Sequence, residues 1–439
     1  MITAKAFAGK HYAVYGLARS GLATVEALVA SGARVTAWDA KEEARAALPE
    51  GAELADLDAV DLAQFDSLVV TPGLPLNRHP IAARAREAGV EIIGDIELFA
   101  RARPELPPHK VVGITGTNGK STTTALVHHI LQTAGVPSLM GGNIGLPILS
   151  RDPLPEGGVY VLELSSYQID LTQSLDCDVA VLLNITPDHL DRYDGFAEYA
   201  ASKARLFEMQ TKARLFAKRS KKRCAVVSIN DGQCQSIAAH LFGSMRFGQP
   251  VPISIEGVVA KQSEWGALQG PHNLQNAAAA FEVANDFGIS RRLIFEALRT
   301  YPGLPHRMER IREKDGVVFV NDSKATNATA TAPALAAFEA IRWICGGQPK
   351  ADHLDECAPF FKNVREAYTI GEASDLFARI LAPHIKVAEC GDLAHAVLRA
   401  ANDAQPGETV LLSPACASFD QFSDFEARGD AFRTLVGAL

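Results

Sequence analysis

The feature that most narrows the folds open to this chain is a repeated alternation. Short runs rich in aliphatic and aromatic residues occur at 12–15, 34–38, 67–70, 111–115, 160–164, 179–185, 317–320, 343–345 and 410–412, with helix-like stretches between them. Strands joined by crossover helices lie parallel, and the helices cover both faces of the sheet. The predicted class is therefore α/β.

A length of 439 residues exceeds what one core usually holds. Two segments break the alternation: the proline-rich RARPELPPH at 101–109, and YPGLPHR at 301–307, which interrupts a helical stretch just before a new strand. They divide the chain into expected domains 1–100, 101–302 and 303–439. No repeat of fixed period and no low-complexity tract is present, which sets solenoids and propellers aside.

Composition excludes several classes. The formal charge is -8, and basic residues gather only in short clusters such as 218–223, so a nucleic-acid binder is not expected. The seven cysteines show no CxxC spacing, which points to reduced thiols rather than a disulfide framework or a zinc site. The first twenty residues lack a basic start followed by an apolar core, and nowhere do eighteen apolar residues run together. A cytoplasmic protein without a membrane span is expected.

The strongest local motif is VVGITGTNGKSTTT at 111–124, a buried strand running into a glycine-bearing turn and then a helix. Gly116 and Gly119 let backbone amides close on phosphate oxygens, Lys120 can lie along the β and γ phosphates, and the Ser121 hydroxyl can face magnesium. The usual phosphate loop has a glycine where Ile114 stands, so this is a variant. ATP is the expected nucleotide. Further on, Glu163 ends one predicted strand, and Asp188 and His189 stand near the end of the next. Ligands collect at the carboxyl ends of parallel strands, so Glu163 and His189, beside Ser121, form a candidate magnesium site.

GLARSG at 16–21 follows a strand, with Asp39 ending the next one. This is the arrangement of a dinucleotide-binding turn, but the middle glycine is replaced by Ala18, which argues against a nicotinamide dehydrogenase.

GTNGKST at 116–122, GGNIG at 141–145, ELSSYQ at 163–168, NITPDHLDRY at 184–193, HN at 272–273 with Asn276, PHR at 305–307 and NDSKATN at 321–327 together resemble the Mur ligase family. ELSSYQ, GGNIG and SPACASFDQF at 413–422 resemble its D-glutamate-adding branch, and the DNPR signature of the diaminopimelate- or lysine-adding branch is missing. The resemblance implies three domains: a Rossmann-like N-terminal domain for a UDP-sugar, a central P-loop ATPase-type domain with a parallel sheet, and a Rossmann-like C-terminal domain for the amino acid. It implies an ADP-forming ligase of peptidoglycan precursor synthesis, a monomer, that joins D-glutamate to UDP-N-acetylmuramoyl-L-alanine through an acyl-phosphate.

The resemblance also assigns residues. ATP would meet Gly116, Thr117, Asn118, Gly119, Lys120, Ser121, Thr122, Asn276, Arg307, Asp322 and Lys324. Magnesium would meet Ser121, Glu163, His189 and Lys203, the last carbamylated by carbon dioxide. The UDP-substrate would meet Gly16, Arg19, Ser20, Asp39, Thr71, Pro72, Gly73 and Asn143. The amino acid would meet Thr326, Lys350, Ser418, Phe419 and Phe425, with Phe419 standing where the family carries leucine. Lys120, Lys203 and His189 are the expected catalytic groups, His189 also as a proton acceptor. The competing readings are a folylpolyglutamate-type ligase, which would not need a UDP-binding first domain, and an ATP-hydrolysing binding protein that joins nothing.

Overall fold

A computed structural model describes residues 1–188, 191–216, 223–243, 251–256 and 258–439. Three α/β sheets follow one another along the chain. The first is wholly parallel: β1 (His11–Tyr15), β2 (Arg34–Trp38), β3 (Glu53–Leu54), β4 (Ser67–Val70) and β5 (Glu91–Ile93) stand in the order β3-β2-β1-β4-β5. Strand order reverses between β1 and β4, so the turns after Tyr15 and Val70 flank the crevice where such sheets take ligands.

The second sheet is also parallel. Its strands are β6 (His109–Thr115), β7 (Ser138–Gly142), β8 (Gly158–Glu163), β9 (Val179–Leu182), β10 (Cys224–Val227) and β11 (Val251–Pro252), in the order β11-β10-β9-β6-β8-β7. The third contains β12 (Glu309–Lys314), β13 (Val317–Asn321), β14 (Ile341–Gly346), β15 (Val364–Ile370), β16 (Lys386–Gly391) and β17 (Thr409–Leu412), in the order β12-β13-β17-β14-β15-β16. This sheet is mixed, because β12 pairs antiparallel to β13 while the other pairs are parallel.

Each apolar run read from the sequence is a strand, with one correction. The run 179–185 was expected to continue toward Asp188, but β9 stops at Leu182. Beyond it the backbone leaves the sheet to meet the phosphate loop, with Thr117 N donating to Asn184 O at 2.9 Å. Asp188 consequently lies on an exposed loop and not at a strand end.

The apolar runs are near-continuous because central strands bury both faces. In β14, Trp343 and Cys345 enter one cluster with Phe361 and Phe377, while the intervening Ile344 enters another with Val397 and Phe432. The chain forms two compact units, Met1–Ile255 with Gln275–Ala297, and Glu256–Leu274 with Leu298–Leu439. The first two sheets share the first unit. They are stapled by buried Glu97, whose carboxylate accepts from Gln173 N at 2.7 Å, Ser174 N at 2.9 Å and Ser174 Oγ at 2.9 Å. Among the described residues no helix is long and apolar enough to cross a membrane.

Candidate active site

The phosphate loop follows β6 and feeds the helix Lys120–Thr133, whose N-cap is Gly119 in the left-handed region at φ 83°. A Cβ there would lie 2.2 Å from Asn276 Oδ1, so the glycine is needed both for the turn and for the approach of Asn276. First-turn amides of a helix have no acceptor within the helix, which makes this end suited to an anion. Ser121 is buried and Thr122 half-buried on that turn.

Two lysines converge on one carbonyl. Lys120 Nζ donates to Gly116 O at 3.0 Å and Thr117 O at 2.7 Å, and Lys203 Nζ, from the helix Phe196–Phe216, donates to Gly116 O at 3.0 Å. Lys203 is 1% exposed and lies 4.5 Å from the centroid of the Tyr199 ring. Burial, then the neighbouring Lys120 charge, push its amine down to about 7, with Asp188 and Asp170 opposing. The Tyr199 hydroxyl is held against Thr117 Oγ1 at 3.1 Å.

The loop after β9 fixes the phosphate loop from the other side. Asn118 N donates to Asn184 Oδ1 at 2.8 Å, and Asn184 Nδ2 donates to Asn118 O at 3.0 Å. The asparagine amide thus pairs with a peptide group as a strand would, and Thr186 N adds a bond to Thr117 Oγ1 at 3.0 Å. Sequence reasoning missed the roles of Asn184 and Tyr199. The available signal for the first was an asparagine placed just after a strand, where its amide can imitate the backbone.

Glu163 ends β8 and is 2% exposed. Its Oε1 accepts from Asn143 Nδ2 at 3.0 Å, and Asn143 N donates to Glu163 O at 2.9 Å. Its Oε2 is buried with no hydrogen-bond partner. A buried carboxylate oxygen left this way is costly unless a cation meets it, so Glu163 fits a metal ligand. Among the described residues no group of three or more His, Cys, Asp and Glu could hold a metal. The expected set draws instead on Ser121 and Lys203, and His189 lies outside the described residues. Asn143, expected at the UDP-substrate, is therefore also the residue that orients Glu163.

In the first sheet, Gly16 has φ 98°, and a Cβ there would stand 2.3 Å from Thr71 Oγ1, so the turn after β1 packs against the start of the loop after β4. Asp39 accepts from Leu17 N at 2.7 Å and Lys41 N at 2.9 Å. Its Oδ2 thus holds the glycine-rich turn, while Oδ1 fixes the start of the loop that follows β2. Arg19 is exposed and Ser20 half-buried at the head of the helix Arg19–Ala30, where Pro72 and Gly73 are also accessible.

The second unit gathers its own set at the carboxyl ends of β13, β14 and β17. Asp322 accepts from Met308 N at 3.1 Å and Ser413 Oγ at 2.8 Å. Burial pushes its carboxyl up to about 7, opposed by those two bonds and by Arg307. Arg307 stands between two left-handed residues that are not glycine, His306 at φ 62° and Met308 at φ 48°. Such strain persists only where surroundings enforce it. The Lys324 ammonium lies 3.7 Å from the centroid of the Phe425 ring, and Lys350 Nζ donates to Thr326 Oγ1 at 3.2 Å. Gln348 and Ala417 exchange backbone bonds at 2.9 Å, which brings Lys350 and buried Ser418 to neighbouring loops. Phe419 is 68% exposed. Buried Arg428, which no spacing signalled, braces this end by donating to Ser323 O at 2.9 Å, Cys416 O at 3.1 Å and Ala417 O at 3.2 Å.

The chain matches the models of the Mur ligase MurD-like N-terminal domain at residues 10–94, the Mur ligase middle domain at 114–284 and the Mur ligase glutamate ligase domain at 306–416. The chain belongs to the Mur ligase family. This Mur ligase is 60% identical to the UDP-N-acetylmuramoylalanine--D-glutamate ligase of Novosphingobium aromaticivorans, over 100% of its own length and 97% of the relative's. It is 58% identical to the enzyme of the same name from Sphingopyxis alaskensis, over 100% of both. Among solved structures it is similar to the UDP-N-acetylmuramate-alanine ligase MurC of Thermotoga maritima, with TM-score 0.58, 16% identity and coverage of 98% and 99%. It is also similar to MurF of Acinetobacter baumannii, with TM-score 0.57, 19% identity and coverage of 98% and 90%. These two likenesses show the shared three-domain fold expected from the sequence.

Proposed function

We propose that this Mur ligase joins D-glutamate to UDP-N-acetylmuramoyl-L-alanine, cleaving ATP to ADP and phosphate by way of an acyl-phosphate. The observation that carries the reading is the convergence of Lys120 and Lys203 on Gly116 O, with the half-satisfied carboxylate of Glu163 ending the adjacent strand. The names of the full-length relatives support the substrates.

A free carboxylate is a poor electrophile, so the alanyl carboxylate must first take the γ-phosphoryl group and gain a leaving group. Residues 116–122 cradle the phosphates, and Lys120 leaves its loop carbonyls to lie along the β and γ oxygens. Asn276, Arg307, Asp322 and Lys324 complete the ATP contacts. Magnesium, when bound, neutralises charge on the transferring phosphoryl oxygens. Ser121, Glu163, His189 and carbamylated Lys203 would hold it. With its amine lowered to about 7, Lys203 offers the neutral form whose nitrogen would bond to the carbon of carbon dioxide, and loss of one N–H proton to solvent would leave the carbamate an anion. Lys203 is buried, with the Tyr199 ring against its amine.

Gly16, Arg19, Ser20, Asp39, Thr71, Pro72, Gly73 and Asn143 take the UDP-substrate. Thr326, Lys350, Ser418, Phe419 and Phe425 take D-glutamate, whose carboxylates match one ammonium and two hydroxyls. Its amine attacks the activated carbonyl, phosphate leaves, and His189 is the proposed acceptor of the amine proton. The reading places a monomeric enzyme in the cytoplasm.

The test is phosphate release with magnesium, ATP and UDP-N-acetylmuramoyl-L-alanine in the presence of D-glutamate, L-glutamate or neither. Release with D-glutamate alone is expected. Release with L-glutamate would place the error in the pocket around Phe419, and none with either would refute the acceptor.

A further inference from the structure

The loops after β4 and β9 clasp each other from both sides. From the β9 side, Arg192 donates through Nη1 to Gly73 O at 3.2 Å and through Nη2 to Leu74 O at 2.8 Å and Pro72 O at 3.4 Å. From the β4 side, Asn77 Nδ2 and Arg78 Nη2 each donate to Asp191 O at 3.0 Å. The Arg192 guanidinium also lies 4.3 Å from the centroid of the Tyr167 ring, in the segment that follows Glu163. Tyr167 in turn stacks on Tyr193, with ring centroids 6.1 Å apart and planes 15° from parallel. One side chain, carried on the loop after β9, therefore touches both the loop proposed for the UDP-substrate and the segment leaving Glu163.

We infer that Arg192 is a positioning residue that sets the loop bearing Thr71, Pro72 and Gly73 in register with the phosphoryl-transfer site. The inference rests on the proposed function, in which that loop takes the UDP-substrate. All three acceptors are backbone carbonyls, so this contact fixes geometry. A planar guanidinium can fork across consecutive carbonyls while stacking on an aromatic face, whereas an ammonium is a point donor that cannot do both. In-line attack on the γ-phosphorus requires the alanyl carboxylate to be held within a fraction of an ångström, and its sugar-nucleotide handle is bound by the loop that Arg192 grips.

The test uses the full chain with Arg192→Lys, Arg192→Ala and Arg78→Ala. D-glutamate-dependent phosphate release is measured with UDP-N-acetylmuramoyl-L-alanine and ATP varied separately, and binding of the UDP-sugar is measured by calorimetric titration. Both Arg192 variants are expected to lose roughly ten- to a hundredfold in kcat/KM for the UDP-substrate, while KM for ATP moves by less than about twofold. Lysine should not rescue. Arg78→Ala should move the same constants in the same direction by less, and melting temperatures should stay close to that of the unaltered protein. Unchanged kinetics for the UDP-substrate in Arg192→Ala would overturn the inference. So would equal losses for both substrates with a lowered melting temperature, the mark of a merely structural residue. If the unaltered protein binds the UDP-sugar but releases no phosphate with D-glutamate, the proposed function fails, and the titration still decides the role of Arg192 through the affinity of its variants.

Discussion

At the scale of single residues, the buried ionisable groups carry the sharpest expectations. Lys203→Ala should lose most activity and regain part of it when a short-chain carboxylate is added, because such an anion can stand in for the carbamate; full activity of this variant would remove the carbamate from the mechanism. Asp95 is a different case. It is buried at the start of the helix Asp95–Ala102, with Oδ1 unpartnered, and burial pushes its carboxyl up to about 6 against the pull of the helix amides. A carboxyl raised in the folded state favours folding fully below its unfolded value near 3.8 and loses that advantage as pH rises through about 6. Asp95→Asn should therefore stabilise the protein at pH 7, by up to about 3 kcal/mol, with the gain fading toward pH 4 in urea unfolding. Residues of the phosphate loop were legible because the loop is built from consecutive positions. Lys203 was not legible from spacing, because nothing local distinguishes a buried helix lysine from an exposed one.

Among the elements, the phosphate loop depends on a partner distant in sequence. Asn184 exchanges two hydrogen bonds with Asn118. Each bond contributes about 1 kcal/mol, so Asn184→Ala should raise KM for ATP roughly ten- to thirtyfold and leave KM for D-glutamate near its original value. Steady-state kinetics with each substrate varied in turn check this. Gly119→Ala should abolish nucleotide binding, since the new methyl would meet both a left-handed backbone and Asn276 Oδ1 at 2.2 Å; retained binding of a fluorescent ATP analogue would contradict that steric reading. Most central strands were readable as apolar runs because both their faces are buried, although interior β10 (CAVV) and β15 (VREAYTI) were not read. Strands β12 (ERIREK) and β16 (KVAECG) escaped because edge strands expose charged side chains, and such segments carry neither an apolar run nor a helical period.

For the whole molecule, the division into two compact units makes ligand linkage informative. The residues proposed for the UDP-substrate all lie in the unit containing the first two sheets, and those proposed for D-glutamate all lie in the other. Calorimetry should resolve two unfolding transitions. UDP-N-acetylmuramoyl-L-alanine at a hundredfold excess over its Kd should stabilise one of them by about 2.7 kcal/mol and leave the second in place. A shift of both transitions by the same ligand would show that the units do not unfold independently.

The α/β class, nine of the strands and the phosphate loop were determined by the sequence itself, because alternation, apolar runs and a consecutive glycine motif are local properties. The family motifs extended that reading to residues far apart in the chain. Only the tertiary structure decided that Asn184 would complete the phosphate loop, that Asn143 would orient Glu163, and that Arg192 would grip the carbonyls of the loop after β4. Each of these is a hydrogen bond between segments distant in sequence, and no spacing rule encodes it, because the partners meet only once the parallel strands are assembled into sheets and their carboxyl ends are brought together.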